Sequence, residues 1–290
     1  MATYDAERVG SAPWLLTGPA LLVFLTLLAA PLVLTAMLSL NLFSDTKGVI
    51  PVYSLANYLE VFGDDYFHEI FLRTGGMALA VTVCCVLIGV PETLIIARMR
   101  APWRSLFLLV VLGPLLISVV VRTLGWAILL GNNGLINQAL QALGIIDFPI
   151  RMMFTQFGVV LALTHVLVPF MVIAVWASLQ KLDLQVEQAG LSLGASRMTT
   201  FRRVVLPQIV PGILSGSIIV FALAASAFAT PAIIGGRRLK VVATAAYDEF
   251  LGSLNWPLGA AIAVLLLVAN LVIVVGCSRL AERRFKHVFE

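Results

Sequence analysis

The chain has 290 residues, of which 60% are hydrophobic and only 12% charged, with a formal net charge of +4. Soluble domains carry about 25% charged residues, and half that number cannot cover a surface that faces water. The composition excludes a disordered chain, a disulfide scaffold and a nucleic-acid-binding domain, and makes lipid the solvent for most of the sequence.

Uninterrupted apolar spans fall at 15–40, 74–97, 105–130, 155–180, 209–234 and 256–278. Each exceeds the roughly 20 residues a helix needs to cross the hydrocarbon core. Backbone groups in lipid must be satisfied within the segment, so the spans predict six transmembrane helices. Of the 34 Asp, Glu, Lys and Arg residues, only Glu92 and Arg122 lie inside them. The first span is too long for a signal peptide core, and its flank Ser39-Leu40-Asn41-Leu42 has no small-x-small cleavage pattern, so it is expected to be retained.

Between the spans, the segment 41–73 carries apolar residues at i, i+3, i+4 spacing over 54–62 and 66–71, which predicts short amphipathic helices on the outer surface. The run from Asn132 to Gly144 predicts a helix with an Asn cap and a Gly stop. Cys84, Cys85 and Cys277 all lie in spans, and the adjacent pair points about 100° apart on a helix, so neither a disulfide framework nor a metal site is expected.

Basic flanks set the orientation. With the N-terminus inside, the cytoplasmic segments and tail hold 12 Lys and Arg residues, among them Arg98, Arg100, Arg104, Arg197, Arg202 and Arg203. The opposite side holds six: Lys47, Arg73, Arg151, Arg237, Arg238 and Lys240. The excess places both termini in the cytoplasm. The Arg237-Arg238-Lys240 cluster runs against the rule.

The longest cytoplasmic segment runs from Lys181 to Pro207. It reads as two short amphipathic helices meeting at a bend, with Leu184, Val186 and Leu193 on the apolar side of the first. Gly194 can supply the turn and Ser196 an N-cap for the second helix, which presents Phe201, Val204 and Val205 beside Arg197, Arg202 and Arg203. Pro207 is expected to break that helix before the next span. Such an elbow suits a soluble partner that delivers force. By composition alone, an interfacial loop held to anionic lipid by its arginines fits equally.

This segment resembles the signature loop of permease subunits of bacterial binding-protein-dependent ABC importers: Glu-Ala-Ala, three residues, Gly, nine residues, Ile-x-Leu-Pro. Aligned on Gly194, the triplet falls on Gln188-Ala189-Gly190, and nine residues after Gly194 lead to Val204 and then Leu206-Pro207. Gln188 stands where the family usually has Glu, with Glu187 one place earlier. Further stretches resemble the spermidine/putrescine branch of the family: Asn57-Tyr58-Leu59, Phe71-Leu72-Arg73-Thr74, Val121-Arg122-Thr123 with Trp126, Gly134-Leu135-Ile136-Asn137 and Asn255-Trp256-Pro257-Leu258-Gly259.

The resemblance implies an all-α membrane protein in which 1–290 form a single permease domain. Its fold would be that of a type I importer permease, with six transmembrane helices and a cytoplasmic coupling-helix loop between helices 4 and 5. Coupling to an ATPase would then rest on Glu187, Gln188, Ala189, Gly190, Gly194, Ala195, Ser196, Phe201, Val204, Leu206 and Pro207. The implied partners are a second permease subunit in a heterodimer, two cytoplasmic ATPase subunits and an external solute-binding protein. The implied solute is small and polar, a polyamine such as spermidine or putrescine; an amino-acid-like, opine or phosphonate solute stays open, as does a channel or receptor without an ATPase. The chain carries no Gly-x-x-x-x-Gly-Lys-Ser/Thr sequence, so ATP hydrolysis is expected in a partner, with no cofactor and no catalytic role here.

Intramembrane ionisable residues are candidate functional groups by default. Counted at 1.5 Å per residue, Glu92 lies about 27 Å from the outer start of its span and Arg122 about 26 Å from the inner start of its own, near opposite edges. Glu92 reads either as a snorkelling helix-end residue or as a carboxylate offered to a cationic solute. Arg122 reads as a structural anchor with a cation–π contact to Trp126. His165 has no acidic or histidine companion one turn away and is expected to be buried and hydrogen-bonded. The small residues of the fifth span, from Gly212 to Ala229, predict close helix packing. In an importer the same face would line the seam between two permeases, so Ser226 and Thr230 join Glu92 as candidate solute-path residues. Pro231 and Gly235-Gly236 are expected to end that span, where an importer would place an external gate.

Overall fold

The computed structural model describes residues 12–181, 188 and 192–284. Helix α1 (Ala12–Ser39) is followed by strands β1 (Asn41–Ser44) and β2 (Gly48–Tyr53), then by α2 (Ala56–Gly63), α3 (Asp65–Arg98), α4 (Trp103–Leu112), α5 (Val119–Leu130), α6 (Leu135–Ala142) and α7 (Gln156–Leu179). Beyond 188 come α8 (Arg197–Thr200), α9 (Leu206–Ala225), α10 (Val242–Leu251) and α11 (Trp256–Arg284). Six helical segments are long and apolar enough to cross a membrane, as the composition predicts.

Their boundaries differ from the expected ones in four places. The second helix begins at Asp65 rather than 74, because Asp64 accepts the Tyr66 N–H at 2.9 Å and caps it there. The 66–71 stretch is thus its first turns, whereas 56–63 does form a separate helix. The segment 105–130 is not one helix. Pro114 lacks an N–H for the carbonyl four residues back, so α4 runs into a 3-10 turn (Gly113–Leu116) and Ile117 is extended (φ −97°, ψ 139°) before α5 begins. The long apolar segment there is Val119–Ala142, with Trp103–Leu116 a shorter separate piece.

The fifth span also departs from expectation at both ends. Pro207 does not end a helix: it sits in the first turn of α9, and Phe201–Val205 is wound as a π turn whose Phe201 carbonyl accepts the Leu206 N–H. The wider turn accommodates the donor that proline lacks, so Arg197–Ala225 runs on as one helical segment. At its far end α9 stops at Ala225, nine residues short of 234, and Pro231–Gly235 forms a separate π turn followed by a 3-10 turn, Gly236–Arg238. Ahead of these helices, 41–53 forms the antiparallel β1–β2 hairpin, with Gly48 at φ +70° in its turn, where the sequence suggests no element.

The contacts divide the chain into two units, 1–61 with 246–264 and 62–245 with 265–290. In the first, buried Asn57 donates to the carbonyls of Ser39 and Asn41, both at 2.8 Å, and Ser39 Oγ meets Tyr58 Oη at 2.6 Å. This is the structural work of the Asn57-Tyr58 motif: it ties α2 to the chain reversal after α1. Asn255 caps α11 through the Leu258 N–H, and a Cβ on Gly259 would strike the Phe250 ring.

The second unit is built on α3, α7 and α9. Cys85 Sγ lies 3.7 Å from the Thr164 carbonyl and Gly89 faces Val168 and Met171, so α3 and α7 run parallel. Gly216 faces Met171 and Ala174, while Gly212 faces Ala174 and Ser178, so α9 is antiparallel to α7. Small residues let the three helices approach closely around fully buried Met171, as the composition of the fifth span predicts. Burial is concentrated in α7, about two thirds of whose most apolar stretch is buried, whereas α1 is apolar on all sides and none of its most apolar stretch is buried.

Candidate functional site

Three regions of the second unit carry the candidate residues. The first is the elbow that follows α7. Glu187, Ala189 and Gly190 lie outside the described residues, and Gln188 is exposed. Gly194 adopts φ +84° with nothing within 4 Å of where a Cβ would stand, so its conformation and not crowding requires glycine. Ser196 Oγ then accepts the Thr199 N–H at 3.2 Å and Thr200 Oγ1 donates to the Ser196 carbonyl, so the expected N-cap is present. Ala195 is half-buried between these two features. Val205 and Ile209 anchor the following turns in the core, with Phe201 and Leu206 packed against it. Val204 is half-buried and Pro207 exposed. Leu193 (89% exposed) and Met198 (65%) project from the bend beside exposed Arg197, Arg202 and Arg203. The arrangement is an apolar tip with a basic collar on a fixed base.

The second region is a cleft of about 370 Å³ between α3, α4, α5 and α7. Its polar groups are Glu92, Trp126, Thr164 and His165, set among Ile88, Val110, Leu161 and Val168. Trp126 Nε1 donates to His165 Nδ1 at 3.2 Å, with the rings edge-to-face at 5.5 Å. That bond requires a lone pair on Nδ1, which fixes the neutral tautomer protonated on Nε2. His165 is therefore hydrogen-bonded as expected, but it is exposed to the cleft and not buried, because α5 leaves a gap beside α7. Glu92 has no ion pair or hydrogen bond among the described residues.

Arg122 acts as the expected anchor by a different route. In the first turn of α5, its Nη1 donates to the Pro114 carbonyl, stapling the two sides of the break between α4 and α5. Its Nε is buried without a partner. No cation–π contact joins it to Trp126 among the described residues; the ring that Trp126 meets belongs to His165. The path from Trp103 to Arg122 is thus not one helix, because it breaks at 113–118.

The third region is the opposite end of α7 and α9. Thr230, buried, meets Thr123 Oγ1 at 3.1 Å, which joins the Pro231–Gly235 turn to α5. Phe154, at φ +62°, donates its N–H to the Ile234 carbonyl at 2.8 Å, and a Cβ on Gly236 would strike its ring. Ser226 is exposed and donates back to the Ala222 carbonyl at 2.7 Å. The structure does not bring Ser226 or Thr230 into the cleft that holds Glu92.

The other family-like motifs also act here. Arg73 pairs with Glu69 and donates to the Lys240 carbonyl at 3.1 Å, and Thr74 Oγ1 accepts the Val242 N–H at 3.0 Å, so Arg73-Thr74 fixes the chain after the turn. Asn137, fully buried, donates to the Gly131 and Ile150 carbonyls and accepts the Ile150 N–H at 2.9 Å. Sequence reasoning missed Arg151 and Phe154, held just beyond that clamp. The one available signal was Asn137 among the polar residues of α6, since a buried amide needs backbone partners.

No family model matches the chain. Curated relatives do. The chain is 33% identical over 247 residues to the spermidine/putrescine transport system permease protein PotB of Salmonella typhimurium strain SL1344, covering 84% of this chain and 86% of that protein. It is 34% identical to PotB of Escherichia coli K12, over 83% of this chain and 88% of that one. With the molybdenum transport system permease protein ModB of Mycobacterium bovis it shares 35% over 69% of this chain and 74% of that one. Among solved structures, a bacterial ABC transporter involved in the import of the acidic polysaccharide alginate aligns with a TM-score of 0.74 at 20% identity, over 94% of this chain and 96% of that one. The inward-facing methionine transporter MetNI aligns with a TM-score of 0.56 at 17% identity, over 78% of this chain and 99% of that one. The solved structures carry the fold, and the PotB proteins match a third of the residues over most of both chains. On that basis the chain belongs to the permease family of bacterial ABC importers, multi-pass membrane proteins, in the branch that includes the spermidine/putrescine permease PotB.

Proposed function

We propose that this chain is one permease of an importer that carries a polyamine such as spermidine or putrescine inward by alternating access. The observation that carries the solute reading is the match to PotB proteins over more than four-fifths of the chain. In this reading a second, different permease completes the pathway, two cytoplasmic ATPases hydrolyse ATP, and an external binding protein delivers the solute. Both termini lie in the cytoplasm, supported by the twofold excess of basic residues on that side. The segment 186–205 receives the ATPase, Leu193 and Met198 entering a groove on that subunit while the arginines meet its acidic rim. Glu92 meets the solute from its cleft, and Ser226 and Thr230 lie along the seam to the second permease.

The test is ATP-dependent uptake by the full assembly in proteoliposomes. Labelled putrescine or spermidine should accumulate only with ATP and the binding protein present. Uptake of an amino acid, opine or phosphonate with no competition by polyamines would replace the solute assignment while keeping the importer. Downhill flux without any ATPase would overturn the importer reading itself.

A further inference from the structure

The bases opposite the elbow are arranged in a way that the orientation rule does not explain. Basic residues outside a membrane oppose the usual charge bias, yet Arg151, Arg237 and Arg238 are all exposed there. Arg73, on the same side, is paired with Glu69, whereas Arg151, Arg237 and Arg238 have no ion pair or hydrogen bond among the described residues. Each stands on a braced piece of backbone. Asn137 grips both the N–H and the carbonyl of Ile150, the residue before Arg151. Phe154 is bonded to Ile234 and seated on Gly236 (φ +62°), the residue before Arg237. The two basic segments are thereby fastened to each other. Arg151 also lines a cleft of about 420 Å³ with Gly131, Asn132, Met153 and Phe154.

We infer that Arg151, Arg237 and Arg238 form the docking surface for a carboxylate-rich patch on the external solute-binding protein. The inference rests on the importer reading above and names the charge by which that partner is recognised. Exposed guanidinium groups that lack internal partners are free to form bidentate pairs with carboxylates. Charges of this kind act chiefly on encounter rate and specificity. The same field repels a free polycation, so the surface reads the carrier and not a dissolved polyamine. It also adjoins a braced turn: the arginine pair follows Pro231–Gly235, which Thr230 fastens to Thr123 on α5. A pull on Arg237 and Arg238 therefore reaches the turn without any intervening flexible loop.

The experiment uses the complete assembly in nanodiscs with its solute-loaded binding protein, comparing the parent with R151E/R237E/R238E. The docking Kd, its dependence on NaCl, and ATP hydrolysis with and without the binding protein are measured. The expected result is a Kd raised about tenfold or more and a flattened salt dependence, with hydrolysis in the absence of binding protein unchanged. K47E, reversing a base elsewhere on the outer loops, should leave docking at the parental value. Partial recovery with a binding protein carrying Lys in place of surface Asp or Glu would confirm the pairing. An unchanged Kd and salt slope in the triple variant overturns the docking surface. So does a variant that docks normally but loses binding to phosphatidylglycerol vesicles, since the patch would then be a lipid site. A parent assembly whose hydrolysis no binding protein stimulates overturns the importer reading and this inference together, a result distinct from failure of the variant alone.

Discussion

Met171 Sδ lies so close to Gly216 that a Cβ on the glycine would approach it to 2.9 Å, and on its other side Met171 Cγ would meet a Cβ on Gly89 at the same distance. One fully buried methionine on α7 thus fills the space that two glycines leave on α3 and α9. The consequence differs from glycine to glycine. At Gly216 the obstacles are side-chain atoms, Met171 Sδ at 2.9 Å and the Ala174 Cβ at 3.1 Å, whereas at Gly212 they are the Ala174 carbonyl at 2.7 Å and Ser178. Gly216→Ala gains about 1 kcal/mol of helix propensity, which offsets a small shift of the Met171 thioether and Ala174. Gly212→Ala meets backbone, and overpacking of this kind costs about 1–3 kcal/mol. Thermal unfolding in detergent should show G212A clearly destabilised and G216A near the parent; equal losses would refute the distinction.

Asn137 makes three hydrogen bonds to backbone from a fully buried position. Asn137→Ala removes all three and leaves buried carbonyl and amide groups unpaired, a cost of about 2–3 kcal/mol. Asn137→Asp keeps only the acceptor and should destabilise too. Hydrogen exchange over 131–155 should accelerate in both variants, while the α7–α9 interface keeps its protection.

Gly194 holds φ +84° in open space. Gly194→Asp therefore costs about 1–2 kcal/mol of backbone strain, confined to the bend. The assembly should still form, since Val205 and Ile209 anchor the elbow independently. Solute-stimulated ATP hydrolysis should fall. An intact G194D assembly with normal stimulation would sink the coupling role of this segment.

Glu92 tests the solute path. If its carboxylate meets a cationic solute, Glu92→Gln should raise KM for uptake by about tenfold, equivalent to about 1.4 kcal/mol, with kcat little changed. Trp126→Phe removes the indole N–H that holds His165 and should alter the same parameter, because both residues line the Glu92 cleft. Unchanged uptake and solute preference in both variants would remove the cleft from the path.

The six spans were legible because lipid excludes charge: where Asp, Glu, Lys and Arg are missing, the helices are found. The signature spacing around Gly194 was legible for a related reason, since a positive φ and a Ser cap leave marks on residue type. The break at Gly113-Pro114 was less visible. Hydropathy measures transfer into lipid, and an apolar segment with a missing hydrogen bond transfers as well as one without. Pro207 shows the converse: proline reads as a stop, but at the start of a helix after a wider turn it costs nothing. The pairing of Trp126 with His165 depends on how far α5 is shifted along α7, which no local pattern reports. The hairpin at 41–53 was hidden because its residues lack strict alternation, and its register slips between Asn41 and Leu42.

The π turn at Phe201–Val205 has a mechanical consequence. Because it replaces a break, the chain from Arg197 to Ala225 is a rod pressed against α7 at Gly212 and Gly216. About 23 Å of it extends from Gly212 to the elbow and about 14 Å from Gly216 to the end beside Ser226. Val205, Ile209, Val220 and Ala224 are buried along the same rod, so it is held over its whole length. A push at Arg197 therefore has no loose joint in which to dissipate before it reaches Ala225.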